Sequence, residues 1–140
     1  MRLVYPCEKS IDPESGQIVL ECKNPSAFAF GQTLQEAQAE MHSLLLDLLV
    51  DAYAEKTLFP MPDDDARFGV TVSLSPVETL KVFLINAMVE THTRPVDIAE
   101  RMGITRQEVT RITNPRYKTK LDTLDQAIEA TGKRLRVSFA

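Results

Sequence analysis

The sequence predicts an α+β protein in which a β-β-β-α-β module is followed by an all-α domain that contains a helix-turn-helix. Short β-rich runs separated by turn residues occupy the first 31 positions, which is typical of hairpin-connected strands. From residue 76 onward, apolar residues recur at helical spacing, apart from a short alternating run at residues 135–139. We therefore expect two domains, residues 1–74 and residues 75–140.

The net charge of −4 is unevenly distributed along the chain. Residues 1–75 contain five basic and twelve acidic side chains, a balance of −7. The remaining residues contain eleven basic and eight acidic side chains, a balance of +3. A basic second half suits nucleic acid, whereas an acidic first half suits a basic partner.

Composition argues against several classes of protein. No apolar run approaches the length of a membrane span, and the N-terminus lacks the apolar core of a secretion signal, so we expect a cytoplasmic protein. The two cysteines and two histidines are scattered singly along the chain. Metal sites need such ligands in clusters, so we expect neither a metal nor another cofactor.

The first two β-rich runs are residues 2–7 (RLVYPC) and 17–22 (QIVLEC), and a turn cluster lies between them. They predict an antiparallel hairpin. If the turn is centred on Glu14 and Ser15, Cys7 and Cys22 lie opposite each other. They could then form a cross-strand disulfide, but we favour two buried, reduced thiols, because the cytosol is reducing.

A third short strand is expected at residues 27–30, followed by a long helix from Thr33 to about residue 54. Thr33 and Glu36 have the spacing of a capping box at the start of that helix. The helix carries an apolar stripe that we expect to cover one face of the sheet, namely Leu34, Ala37, Met41, Leu44, Leu45, Leu48 and Leu49.

Residues 63–65 are three consecutive aspartates. They could suggest a metal site, but neighbouring side chains on an extended chain point in different directions, so we favour a solvated loop. Residues 68–74 (FGVTVSL) alternate in polarity and predict the fourth strand. Ser75 and Glu78 then form another capping box, which opens a helix whose core positions are Val77, Leu80, Phe83, Leu84, Ala87 and Met88.

Residues 94–112 (RPVDIAERMGITRQEVTRI) match a helix-turn-helix over their whole length. Pro95 suits a first helical position, Gly103 suits the bend, and Thr105 with Glu108 forms a capping box on the second helix. The alternative is an ordinary helical pair with a solvated charged face; the complete spacing favours DNA reading. The inward positions are apolar: Val96, Ile98, Ala99, Met102, Ile104, Val109 and Ile112.

The outward side chains of the second helix are candidates for reading DNA. We expect Gln107, Thr110 and Arg111 at base edges, since glutamine suits adenine and arginine suits guanine, with Arg106 shared between base and phosphate. The basic loop that follows suits phosphate contacts. The full set of candidate DNA-binding residues is Thr105, Arg106, Gln107, Thr110, Arg111, Arg116, Lys118 and Lys120.

A last helix is expected from Leu121 to about residue 131, with Gly132 just beyond its end. In the final run, Leu135, Val137 and Phe139 share one side of a strand. The helical half offers this strand no partner, and a lone strand leaves its backbone groups unpaired. We therefore expect it to pair with the same strand of a second chain, making a homodimer. Whether such dimers assemble into tetramers is left open.

The order of these segments resembles the HicB-type antitoxins of toxin–antitoxin systems. The resemblance rests on residues 31–37 (GQTLQEA) after the third strand, residues 58–62 (LFPMP), and the C-terminal helix-turn-helix. It implies that the N-terminal module is a partly complete ribonuclease-H-like fold. It further implies that this module binds and blocks a small basic HicA toxin that cleaves messenger RNA, and that the C-terminal half binds operator double-stranded DNA as a dimer.

Two other functions are alternatives to this one. The first is a transcription regulator whose N-terminal module senses a small ligand. The second is a nuclease built on the ribonuclease-H-like module. A two-metal nuclease needs carboxylates converging from a strand centre and its neighbours, and residues 2–7 contain none. We therefore expect no catalytic residues.

Overall fold

The computed structural model describes residues 2–63 and 69–139, and these residues form an α+β fold. The helices and strands follow the predicted order, except that the expected final strand at residues 135–139 is absent from the single chain. Their bounds are β1 (Val4–Ile11), β2 (Ile18–Lys23), β3 (Ser26–Gly31), α1 (Leu34–Glu55), β4 (Val70–Ser73), α2 (Pro76–Thr91), α3 (Pro95–Met102), α4 (Arg106–Thr113) and α5 (Leu121–Ala130).

The strands form one antiparallel sheet in the order β3-β2-β1-β4. β1 reaches Ile11, four residues beyond its predicted end, because its two halves pair with different strands. Its first half pairs with β4, from Val4 opposite Ser73 to Cys7 opposite Val70. Its second half pairs with β2, from Glu8 opposite Glu21 to Ile11 opposite Ile18. The polar residues after Cys7 gave no sign of this second pairing.

The predicted register of the β1–β2 hairpin is confirmed. Glu8 lies opposite Glu21, so the next position along each strand places Cys7 opposite Cys22. Both cysteines are buried free thiols, as we favoured. A hydrogen bond with Cys22, together with burial, raises the pKa of the Cys7 thiol. Both side chains are small and buried, so the pair packs as part of the core.

α1 begins as predicted, with one difference in its cap. The Thr33 hydroxyl accepts a hydrogen bond from the Glu36 N–H at 3.2 Å, whereas the Glu36 carboxylate accepts from Gln32 at 2.9 Å instead of from Thr33. The backbone of Gly31 lies close to the first turn of α1. A Cβ on residue 31 would lie 2.5 Å from the Ala37 nitrogen, so glycine is required there. Four residues of the predicted apolar stripe of α1 are buried, namely Ala37, Met41, Leu45 and Leu49. The other three, Leu34, Leu44 and Leu48, are half-buried. Leu46 is buried although it lies outside the predicted stripe.

The chain divides into two compact units. The sheet unit contains Arg2–Leu48 and Pro60–Leu74. The helical unit contains Leu49–Phe59 and the described residues from Ser75 onward. α1 therefore contributes its longer, N-terminal part to the sheet unit and its last residues to the helical unit.

Part of the predicted loop and fourth strand lies outside the described residues. Asp64, Asp65 and Phe68 belong to that part, whereas Asp63 is exposed and has no regular secondary structure.

Among residues 2–63 and 69–139, no helix combines the length and the apolar character that crossing a membrane requires.

The cap of α2 is as predicted, since the Ser75 hydroxyl accepts from the Glu78 N–H and the Glu78 carboxylate accepts from the Ser75 N–H.

The helical unit has a buried cluster, to which α2, α3, α4 and α5 all contribute. The cluster consists of Leu80, Leu84, Met88, Ile98, Ala99, Val109, Ile112, Leu124, Ala127 and Ile128.

Residues 133–139 carry neither helix nor strand in the single chain. Leu135 is partly buried against the cluster of the helical unit, so it does not share the exposure of Val137 and Phe139. Val137 is 80% exposed and Phe139 is fully exposed, at 105%. The pairing of this segment with a second chain stays a prediction.

Candidate nucleic-acid interface

α3 and α4 are joined by a tight turn at Gly103. Gly103 has φ 68° and ψ 37°, the left-handed conformation that glycine adopts at low cost. Its N–H donates to the Glu100 carbonyl, and the Ile104 N–H donates to the Ala99 carbonyl at 3.0 Å. These two bonds close the end of α3 in the pattern typical of a glycine-terminated helix. The direction in which α4 departs is thereby set by local hydrogen bonds.

The start of α4 is held by the predicted capping box. The Thr105 hydroxyl accepts from the Glu108 N–H at 3.1 Å, and the Glu108 carboxylate accepts from the Thr105 N–H at 2.8 Å. Thr105 is exposed, but its hydroxyl is already engaged in this cap. Of the candidate DNA-binding residues, Thr105 thus has a clear structural role of its own.

The other candidates on α4 lie on its solvent face. Arg106, Gln107, Thr110 and Arg111 are all exposed, whereas the opposite face of the helix is buried in the core of the unit. The Thr110 hydroxyl donates to the Arg106 carbonyl at 3.1 Å, so it is bonded within the helix. Gln107 and the two arginines are therefore long, polar side chains that α4 presents outward, beside Glu108, which is also exposed but is bonded to Thr105 in the cap.

The loop after α4 is ordered by its own short-range hydrogen bonds. The Arg116 N–H donates to the side-chain oxygen of Asn114 at 3.0 Å, and the Tyr117 N–H donates to the Asn114 carbonyl at 3.1 Å. Arg116, Lys118 and Lys120 are exposed, as phosphate contacts require. This turn also brings the Tyr117 ring to within 5.9 Å of the Arg111 guanidinium.

Lys81 is a residue of this region that sequence reasoning missed. It lies on α2 and has 0% exposure, and its ammonium donates to the main-chain carbonyls of Asn114, at 2.6 Å, and of Tyr117. The Arg111 carbonyl lies at 3.4 Å. Burial lowers the pKa of Lys81 to about 8, and the carboxylate of Glu78 opposes that shift.

One signal in the sequence pointed to Lys81. It stands between Leu80 and Val82 in a helix that is apolar on most of its surface. A lysine at such a position is almost never fully buried unless its ammonium has partners. The apolar periodicity of α2 predicts only its core stripe. It does not indicate the partners of Lys81, which are carbonyl groups some thirty residues further along the chain.

Among the residues that the structure describes, no three histidine, cysteine, aspartate or glutamate side chains gather into a group that could hold a metal ion.

Comparison with known proteins identifies the family. No protein-family model matches the chain. Antitoxin HicB 1 of Photorhabdus laumondii is 32% identical over 139 residues, which cover 96% of this chain and 86% of that protein. Antitoxin HicB of Escherichia coli K12 is 29% identical over 131 residues, covering 94% of this chain and 95% of that protein. The chain belongs to the HicB antitoxin family. The residues matched by the HicB proteins cover nearly the whole chain and therefore run through both compact units.

The LFPMP segment of this HicB chain begins with a specific contact inside the helical unit. The side-chain amide of Asn86, on α2, accepts from the Phe59 N–H at 2.8 Å and donates to the Phe59 carbonyl at 2.9 Å. The Phe59 side chain is buried. One asparagine thus satisfies both backbone groups of a buried residue in a segment without regular structure.

Proposed function

We propose that this HicB chain is an antitoxin that binds and neutralises a HicA-type, mRNA-cleaving toxin. We further propose that, as a dimer, it represses its own operon by binding operator DNA. Residues 1–74, as a partial ribonuclease-H-like module, would take the toxin, and residues 75–140 would take the DNA. The observation that carries the proposal is the similarity, over nearly the whole chain, to proteins named HicB antitoxins.

The geometry of α3 and α4 supports DNA binding through a helix-turn-helix. α4 starts at a capping box, buries one face and exposes Gln107 and Arg111 on the other. A helix of this kind fits the major groove, where these side chain types pair with adenine and guanine. Arg116, Lys118 and Lys120 follow directly and are exposed, so they are suited to contact phosphates.

The exposed end of the chain supports a dimer. Val137 and Phe139 are apolar and lie in solvent, and their segment has no strand partner within the described part of the chain. Pairing with a second copy satisfies backbone groups and covers both side chains. It also supplies two recognition helices for half-sites about one helical turn apart.

The charge of the first half supports a basic protein partner. Residues 1–75 carry a balance of −7. An acidic surface steers a basic toxin into contact and disfavours binding of the first half to nucleic acid. The exposed Phe28 and Phe30 on β3 provide apolar area, which charge alone does not supply.

Two measurements on the full chain test the proposal. Co-expression with the HicA-type toxin encoded beside it should restore growth, and the purified pair should elute as one complex. The purified chain should also retard a duplex from upstream of its own gene, but not a shuffled duplex, at moderate salt. Failure to bind the toxin would remove the antitoxin function, and failure to bind the duplex would remove the repressor function.

A further inference from the structure

The buried ammonium of Lys81 joins two parts of the proposed DNA interface. Its partners are the carbonyl of Asn114 at 2.6 Å, the carbonyl of Tyr117, and the carbonyl of Arg111 at 3.4 Å. Arg111 belongs to the last turn of α4, which carries the base-facing side chains. Tyr117 belongs to the loop that carries the phosphate-facing ones.

An ammonium in this position is well matched to its surroundings. A buried charge is costly unless it is paired, and a lysine ammonium has three N–H donors. Three carbonyl oxygens face it here, and those of Arg111 and Asn114 lie at the C-terminal end of α4, where the helix dipole is negative. A side chain from α2 thus ties the end of α4 to the loop that follows it, in addition to the hydrogen bonds within the loop.

We propose that Lys81 is a positioning residue for DNA binding, because it fixes the distance between the base-reading face of α4 and the phosphate-contacting residues that follow. This inference rests on the proposed DNA-binding function. Phosphate contacts set the register in which base-reading side chains meet the groove, so the two sets must keep a constant spacing. Lys81 never touches DNA; it acts through the loop that carries Arg116 and Lys118.

The chain offers a matched control for this role. The Arg101 guanidinium donates to the Ala130 carbonyl at 2.6 Å, at the end of α5. Arg101, like Lys81, is a cation bonded to a main-chain carbonyl at a helix end of the same unit, although Arg101 is exposed and Lys81 is buried. It makes no such bond to α4 or to the loop after it among the described contacts. Loss of either cation removes a charge and a helix-end contact, but only Lys81 holds the DNA-contacting loop.

The experiment measures the affinity of the full-length wild type, Lys81→Met and Arg101→Met for the duplex from upstream of the chain's own gene, at several salt concentrations. Binding is recorded below the melting transition of each variant. Each phosphate contact contributes about 0.9 to the slope of log affinity against log salt. We expect Lys81→Met to lower that slope by about 1–3 and to weaken binding at least tenfold, through loss of loop contacts. Arg101→Met should keep the wild-type slope.

A double substitution separates positioning from general loss of stability. Lys118→Ala should lower the salt slope by about 1 in the wild type. In the Lys81→Met chain it should have no further effect, because the loop no longer holds Lys118 against a phosphate. A full Lys118→Ala effect in both chains, or equal slopes for Lys81→Met and Arg101→Met, would overturn the inference.

The remaining outcomes are also decisive. If Lys81→Met does not fold, Lys81→Gln, which retains two N–H donors, takes its place and should show an intermediate slope. Unfolding of both variants would overturn the inference, because Lys81 would then be a requirement of the whole unit. If the wild type itself does not bind the duplex, the proposed DNA-binding function fails, and that result is distinct from failure of the Lys81 role.

Discussion

The guanidinium of Arg111 lies over the ring of Tyr117, 5.9 Å from the ring centre. Both side chains are exposed, so the contact does not serve the core. A cation–π contact at an exposed site contributes about 0.5–1 kcal/mol. That is enough to favour one orientation of a flexible arginine, which would reduce the entropy lost in the proposed binding to DNA.

Arg111→Ala is expected to weaken operator binding by about 1–3 kcal/mol and to relax specificity at one base position. The loss follows from removing a bidentate donor suited to guanine. Tyr117→Ala should cost less, up to about 1 kcal/mol, because it removes only the support of the arginine. Gel-shift titrations against single-base operator variants measure both effects. Wild-type affinity of Arg111→Ala would show that α4 is not the reading helix.

Replacement of Phe28 and Phe30 by aspartate is expected to abolish toxin neutralisation and leave operator binding intact. The two side chains are 52% and 44% exposed on β3, and Ala29 between them is buried, so the substitutions alter the surface and spare the core. Growth rescue on toxin co-expression is the readout. Val50→Asp serves as the control, since Val50 is a similarly exposed apolar residue on α1. Undiminished rescue by the double variant would place the toxin elsewhere.

Phe139→Asp is expected to convert the dimer into a monomer and to weaken operator binding strongly, because one chain supplies only one recognition helix. Phe139 is the last residue of the expected strand, and a carboxylate there replaces an apolar side chain that pairing would cover. Sedimentation gives the mass, and gel shift gives the affinity. Ser138→Asp places the same charge on the neighbouring residue and should leave the dimer intact. A dimeric Phe139→Asp chain would refute pairing through this segment.

Asp97 is expected to stabilise the start of α3 in a pH-dependent manner. Hydrogen bonds from the Arg94 side chain and backbone lower the pKa of Asp97 from 3.8 to about 2. The folded state therefore favours the charged form, so the stabilisation is present above about pH 4 and is lost as the pH falls towards 2. Urea unfolding of the wild type and of Asp97→Asn at several pH values measures it. The difference in the free energy of unfolding should shrink across that window; a constant difference would contradict the assignment.

The sequence by itself determined the features that depend on neighbouring residues. The capping boxes at Ser75 and Thr105, and the left-handed turn at Gly103, were predicted correctly, because each is made by residues within five positions of one another. The hairpin register, with Cys7 opposite Cys22, also follows from a local turn. In the same way, the exposed face of α4 follows from helical periodicity in eight residues.

Only the tertiary structure decided the features whose partners are distant along the chain. β1 extends to Ile11 because β2 pairs with its polar second half, and Leu46 is buried although it lies outside the predicted stripe. Lys81 is buried because carbonyls thirty or more residues away receive its ammonium. A lysine in an apolar run signals a conflict, but which groups resolve it depends on how α2 packs against the end of α4. Local sequence carries the propensity of each segment, whereas burial and pairing are properties of segments brought together by folding.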